Sequence, residues 1–247
     1  MKTTRLLSLQ GGSKTKVQLK MGLLTSFSML LFITTGWGQT FSLSEIHGIE
    51  IESYVEIIEM SYGDLDGDTI AEMVLVVNRS DSSDFNVPRD LMVLKQKDAT
   101  WHLWKISSHA ILGTDEGGVL GDPFQGAYAE DHMIHISHSG GSNWRWSETS
   151  VYGFRDHEFL LNSHESYFGS FCDEKIEIRF DLVTGEVNYS VDIEACPEGF
   201  GDNSHLLESL PHTEVFLHPD LKIKLFDVKD TIVEITTPNN QVFSISH

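Results

Sequence analysis

From about residue 50 onward the chain alternates apolar and polar side chains in short runs, and each run ends at Gly, Asn or Asp. A period of two places successive side chains on opposite sides of an extended backbone, which is the pattern of a half-buried strand. By that pattern the segments 55–61, 71–77, 91–95, 101–106, 126–129, 133–138, 145–154 and 158–162 read as strands. A hairpin over 174–193 follows, and then strands at 214–217, 222–227, 232–236 and 242–245. The connections carry turn residues, among them 78–86, Lys97-Asp98, Glu130-Asp131, Asp156-His157, Lys229-Asp230 and Asn239-Asn240. Beyond the first 38 residues no stretch sustains a 3.6-residue period, although 206–210 has room for one helical turn. Strands spaced roughly ten residues apart predict an all-β fold, an antiparallel meander built as a sandwich or as propeller-like blades. The acidic, Gly-rich break at 198–203 is the best boundary. Residues 39–247 therefore read as a single all-β domain, with a small β appendage from about residue 204 as the alternative division.

The N-terminus is different. Lys14, Lys16 and Lys20 precede an apolar run over 21–35, and Gly36-Trp37-Gly38 supplies a small-residue exit. At ~1.5 Å per residue that run makes roughly 22 Å of helix, short of a ~30 Å hydrocarbon core. A basic start, a short apolar run and a small-residue end predict a signal peptide over 1–38; the alternative is an uncleaved N-terminal anchor. Charge divides at the same point. Residues 1–38 hold five of the 17 Lys+Arg and none of the 37 Asp+Glu, which leaves 12 basic and 37 acidic residues, or −25, on the remainder. So acidic a surface excludes nucleic acid and anionic membrane as partners. The expectation is export to the periplasm or outside the cell, no membrane span after signal cleavage, and a protein or glycan partner in the envelope or beyond it.

Cysteine usage points the same way. The two cysteines are Cys172 and Cys196. In a 174–193 hairpin centred on Thr184, paired residue numbers sum to 368, as do 172 and 196, so the thiols face each other within reach of a disulfide. The alternative is two free buried thiols, disfavoured in an oxidising compartment. Asp173 and Glu174 beside Cys172 oppose a thiolate nucleophile.

The most specific chemistry lies in Gly63-Asp64-Leu65-Asp66-Gly67-Asp68-Thr69-Ile70-Ala71-Glu72. If the backbone curls, carboxylates of Asp64, Asp66, Asp68 and Glu72 converge on one point, and Ile70 offers its carbonyl. Hard oxygen donors in that number suit Ca²⁺. The alternative is an acidic, solvated turn. The loop is no EF-hand, because position 12 is Leu75 rather than a bidentate Glu. Over 63–77 the segment resembles the calcium loops of FG-GAP/VCBS-type repeats, D-x-D/N-x-D-G-x-x-D followed by an apolar strand. The resemblance implies Asp64, Asp66, Asp68, the Ile70 carbonyl and Glu72 as ligands of a structural Ca²⁺ pinning a hairpin. Thr69 departs from it, since the family has Gly where a positive φ is needed.

A second resemblance joins this loop to Gly117-Gly118-Val119-Leu120-Gly121-Asp122-Pro123-Phe124 and Gly140-Gly141-Ser142-Asn143-Trp144-Arg145-Trp146. With these segments the chain, over roughly 55–165, is similar to uncharacterised exported bacterial proteins with one FG-GAP-like loop and a GGVxGDPF…GGSxWRW segment. That similarity implies a β fold and export and carries no activity. On a strand Trp144 and Trp146 share a face and Arg145 takes the other. They form either a ligand platform, with Arg145 near a carboxylate, or a cap on the sheet core. His132, His135 and His138 are divided by the strand period and read as separate surface histidines rather than as a zinc cluster. No HExxH, GxSxG, phosphate-binding or dinucleotide motif is present. The residues together predict an exported, calcium-stabilised β protein acting as a binding or structural module. Two alternatives remain: a carbohydrate- or peptide-binding module using Trp144 and Trp146, and an envelope hydrolase with paired carboxylates.

Overall fold

The apolar run 73–77 builds the centre of the molecule. In the computed structural model, which describes residues 41–81, 85–199, 203, 207, 212–226 and 232–246, every side chain of that run is fully covered. The expected signal segment lies outside the described residues, as does all of the 206–210 turn except Leu207. Strands β1 (Ile46–His47), β2 (Tyr54–Gly63), β3 (Glu72–Arg79), β4 (Arg89–Lys97) and β5 (Thr100–Ser107) form a five-stranded sheet in the order β1-β5-β4-β3-β2. Met73, Leu75 and Val77 point to one side, where Ile46, Met92 and Leu94 meet them. Val74 and Val76 point to the other with Leu91 and Val93, into the larger core. A strand buried on both faces needs no alternation, which is why 73–77 is continuously apolar. Each such side chain contributes roughly 1.5–3 kcal/mol of burial. The β1–β5 pair is parallel, unlike every other pair in the two large sheets. This departs from a pure antiparallel meander.

The second sheet contains β6 (Phe124–Glu130), β7 (Met133–Gly141), β8 (Trp144–Arg155), β9 (Glu158–Ser170), β10 (Glu174–Asp181), β11 (Glu186–Ile193) and β12 (His212–Leu217), in sequence order and curled as a half-barrel. Three hairpins close through two-residue loops with both φ positive: Asp98-Ala99, Asp131-His132 and Asp156-His157. Such turns match the right-handed twist of the strands they join, and Asp tolerates the left-handed region. The sheets meet where β2 lies beside β6. Ala127 N–H donates to Glu59 at 3.2 Å, and Ala129 N–H to Ser61 at 3.0 Å. A Cβ on Gly63 would stand 2.8 Å from that of Ala129, so only glycine permits this approach.

The inner face of the curled sheet is covered by a separate hairpin, β13 (Ile232–Thr236) and β14 (Val242–Ser246). Ile235, Phe243 and Ile245 of this hairpin are buried in the larger core. Buried Glu214 of β12 ties the hairpin down, accepting from the Thr237 hydroxyl at 3.0 Å and Asn239 N–H at 3.1 Å. The segment from about 204 thus supplies a sheet edge and part of the core. The expected strand at 222–227 is reduced to a single bridge between Lys224 and Leu160, with Ile223 and Leu225 buried; Asp227 lies outside the described residues. Strand β10 ends opposite Ser163, so only a short length of β9 has an open edge to receive it.

The β10–β11 register differs from expectation by one residue. Pairs run from Glu174↔Ile193 to Asp181↔Glu186, numbers that sum to 367 rather than 368. The Asp181 carboxylate accepts from Val183 N–H at 2.8 Å and Thr184 N–H at 3.0 Å, and Gly185 at φ 78° completes a four-residue loop. Cys172 and Cys196 still form a disulfide, with Cα atoms 4.8 Å apart. Both lie past the last rung of the ladder, where strict register no longer governs them.

Candidate functional site

The 64–71 loop joins β2 to β3, and its carboxylates organise it. Asp64 accepts from Gly67 N–H at 2.8 Å and Thr69 N–H at 3.0 Å, Asp66 from Asp68 N–H at 3.3 Å, and Asp68 from Ile70 N–H at 2.8 Å. Leu65, buried, anchors the loop in the core, and its N–H donates to Glu72 at 2.7 Å. The chain must therefore curl tightly, with Gly67 at φ 78° and Thr69 at φ 71°. One carboxylate oxygen from each of Asp64, Asp66 and Glu72 lies within 4.8 Å of the others. Asp68 stands outside that triple with its side chain half exposed, and Ile70 is exposed. Of the five expected ligands, the structure gathers three.

A cation already faces them. Lys95 on β4 hydrogen-bonds Asp66 and stands 3.6 Å from Glu72 and 3.8 Å from Asp68. Its ammonium also lies 4.2 Å above the Trp104 ring, a cation–π distance. Burial works against the Lys95 charge, yet the Asp66 hydrogen bond and the neighbouring carboxylates hold its pKa above the usual lysine value. Burial likewise raises the Glu72 pKa. The Leu65 N–H and Lys95 act to lower it, while Asp66 and Asp68 add to the rise. His132, in the β6–β7 turn, meets the Asp64 carbonyl through Nδ1, which fixes the proton on that nitrogen. It is a neighbour of the acidic loop, where a lone surface histidine was expected.

The two glycine-rich segments pack as one unit. Gly141 N–H donates to Gly117 O at 2.8 Å and Ser139 N–H to Pro123 O at 2.8 Å. A Cβ on Gly140 would lie 2.7 Å from both the Trp146 indole and Gly117 O, so the bare backbone is what lets the ring lie flat there. Asp122 takes both ends of the buried Arg89 guanidinium at 2.7 and 2.5 Å, and Arg89 sits 5.4 Å from the Phe124 ring centroid. That fork holds the Asp122 pKa below the usual carboxylate range, against burial. These residues pin the 108–123 loop, whose Leu112 carbonyl Arg89 also reaches at 3.4 Å. Trp144 stacks on Phe168 with centroids 5.0 Å apart, whereas Arg145 is exposed on the opposite side of the sheet. The two indoles and Arg145 thus do not line one site.

Inside the curled sheet lies a polar strip that sequence reasoning missed. His138 is only 5 % exposed, not a surface residue. Its Nε2 accepts from Leu112 N–H at 3.3 Å, so Nδ1 carries the proton and faces Glu148 at 3.4 Å. Next to it Ser150 Oγ and the buried His164 Nδ1 are 3.0 Å apart. Burial pushes the Tyr152 phenol well above its usual pKa; a Ser150 hydrogen bond opposes this and the Glu148 charge assists. A cavity of about 300 Å³ is lined here by Glu116, Ile136, His138, Glu148, Ser150 and Tyr152, among others. A second, of about 330 Å³, adjoins it across Leu112 and Glu148 and is lined by Trp146, Ser166, Phe168, Ile176 and Ile178. His135 takes no part, lying stacked on Tyr128 with centroids 4.9 Å apart. The cue in the sequence was parity: once Trp144 and Trp146 define one face of β8, Glu148 and Ser150 fall on it, polar groups where a core is expected. Compared with known proteins, the chain matches no family model, no curated protein and no solved structure.

Proposed function

We propose that the mature chain is an exported, calcium-stabilised β module that works by binding or structural interaction, with Ca²⁺ in the 64–72 loop pinning the β2–β3 hairpin. One observation carries this reading: oxygens of Asp64, Asp66 and Glu72 lie within 4.8 Å of one another, a span that ligand distances of about 2.3–2.6 Å to a common ion accommodate. The donor set is hard oxygen throughout. Three carboxylates, Asp66, Asp68 and Glu72, meet one ammonium with Asp64 close by, and the excess negative charge favours a divalent ion. The residues that would hold the ion are Asp64, Asp66 and Glu72, completed by Asp68 or the Ile70 carbonyl and by water. The basic-apolar N-terminal segment and the Cys172–Cys196 pair support export to an oxidising compartment.

The test is thermal unfolding with and without Ca²⁺. Calcium should raise the melting temperature of the wild-type protein over that in EDTA, and Asp66→Ala should remove the difference. Calorimetry silent at millimolar Ca²⁺, together with identical melts in both buffers, would overturn the assignment.

A further inference from the structure

The inner face of the curled sheet is apolar along most of its strands: Ile134 and Ile136 on β7, Phe180 on β10, Val187 and Tyr189 on β11. Apart from His212 and Glu214 on β12, the latter holding the covering hairpin, its buried polar groups gather in one place. His138, Glu148, Ser150 and His164 occupy mutually paired positions on three adjacent strands, and Ser166 lies opposite Glu148. Leaving such groups unpaired in a core costs about 1–3 kcal/mol each, and this strip answers that with internal pairs. The arrangement also orients one carboxylate. His138, held by the Leu112 backbone, turns Nδ1–H toward Glu148, and Glu148 stands at the wall shared by the two cavities.

The two cavities differ in chemistry. Glu116 and Glu148 both line the first, with Glu116 fixed by the Gly113 N–H. The second is walled by Trp146, Phe168, Ile176 and Ile178. Among the described residues neither lining includes Lys or Arg, and the basic groups there are the imidazoles of His109 and His138. A site of this kind is complementary to a ligand with a cationic hydrogen-bond donor at one end and an apolar group at the other. Anions are opposed by both carboxylates and by the −25 charge of residues 39–247. A neutral polyol would leave the aliphatic half of the cleft unused.

We propose that this cleft binds a small amphipathic organic cation, with a primary ammonium head at Glu148 and Glu116 and an aryl or short alkyl group against Trp146 and Phe168. The site is separate from the acidic hairpin loop, and its readout is ligand affinity rather than calcium-dependent melting, so either proposal can fail alone. The probe is phenethylammonium, titrated into the protein by calorimetry and by tryptophan fluorescence, in calcium and in EDTA. Its neutral analogue 2-phenylethanol and its anionic analogue phenylacetate serve as comparisons. A charge-assisted hydrogen bond predicts that the ammonium binds at least about tenfold more tightly than the alcohol, and that phenylacetate does not bind. Glu148→Gln should erase the preference for the ammonium while retaining the native circular dichroism spectrum. Ser166→Leu, which fills the apolar half, should abolish binding of ammonium and alcohol alike, and it keeps the test alive if Glu148→Gln fails to fold. The proposal is overturned if the alcohol binds as tightly as the ammonium, if folded Glu148→Gln binds the ammonium unchanged, or if no probe saturates by about 10 mM.

Discussion

Replacing Lys95 by Met keeps most of the side-chain volume and removes the one ammonium among the loop carboxylates, so it separates an ion-binding loop from a lysine-held turn. In the folded protein that ammonium bonds Asp66 and lies 3.6 Å from Glu72 and 3.8 Å from Asp68. A unit-charge pair at such distances is worth about 4 kcal/mol gross at an effective dielectric near 20. Part of this is offset by desolvation, since Glu72 is nearly covered, and by the solvent that still reaches Lys95. A net loss of about 2–3 kcal/mol remains, roughly 4–12 °C in melting temperature for a chain of this size. In EDTA, Lys95→Met should melt lower by that amount. In millimolar Ca²⁺ most of the loss should be recovered, and calorimetry should give tighter calcium binding than in the wild type, because the ion no longer displaces an ammonium. The pH dependence has a defined sign. Burial holds the folded-state pKa of Glu72 above its unfolded value, so the folded chain takes up that proton more readily and Glu72 opposes folding least at low pH. Calcium needs the ionised carboxylate, so its affinity should fall as pH drops through that raised value. An equal melting loss in EDTA and in calcium would refute the reasoning and leave the loop as a lysine-clamped turn.

Thr69→Gly should stabilise the protein by about 0.5–1 kcal/mol in urea unfolding, because a β-branched residue at φ 71° is strained by more than the backbone entropy that glycine adds. Asp122→Asn should cost about 2 kcal/mol, since it strands the buried Arg89 guanidinium; Asp122 is itself half exposed, which moderates the loss. Because Arg89 lowers the Asp122 pKa, the stability from that pair is present above the unfolded carboxyl pKa and is lost as pH falls through the lower folded value, which an acid titration followed by circular dichroism would register. Reducing the Cys172–Cys196 bridge, which spans a sequence separation of 24, should lower stability by about 3.5 kcal/mol on the loop-entropy model, measured as a shift in urea midpoint.

Features that depend on neighbours in sequence were legible. Most strand positions followed from the period of two and the turns from Asp and Gly, while the curl that the acidic loop needs for its carboxylates to converge is made by those carboxylates bonding their own backbone N–H groups. The β10–β11 register was misjudged by one residue because Asp181 builds a four-residue loop, and alternation alone does not fix loop length. Lys95 was invisible for a stronger reason. It reaches Asp66 from 29 residues away, through the β3–β4 pairing, and nothing in a strand's pattern says which lysine at the end of its core face will meet a given loop. The His138–Glu148 and Ser150–His164 contacts are set by which strands become neighbours, a choice made by the sheet as a whole.

That difference bears on what each polar feature does for the fold. The acidic loop is closed by its own backbone, so much of its geometry exists before any ion arrives; a cation changes mainly the repulsion among carboxylates already gathered. The inner strip is held by no such local frame. His138, Ser150 and His164 occupy positions at which Ile, Val or Leu would each add roughly 1.5–3 kcal/mol of burial, and their own pairs return less than that. The same sheet is uniformly apolar on β11, so the curled architecture itself does not require polar residues inside it. Polar residues grouped on three adjacent strands, beside the two cavities and near a loop pinned by Arg89 and Asp122, mark a place where the sequence forgoes core stability, a concession that the proposed ligand site would account for and a pure scaffold would not need.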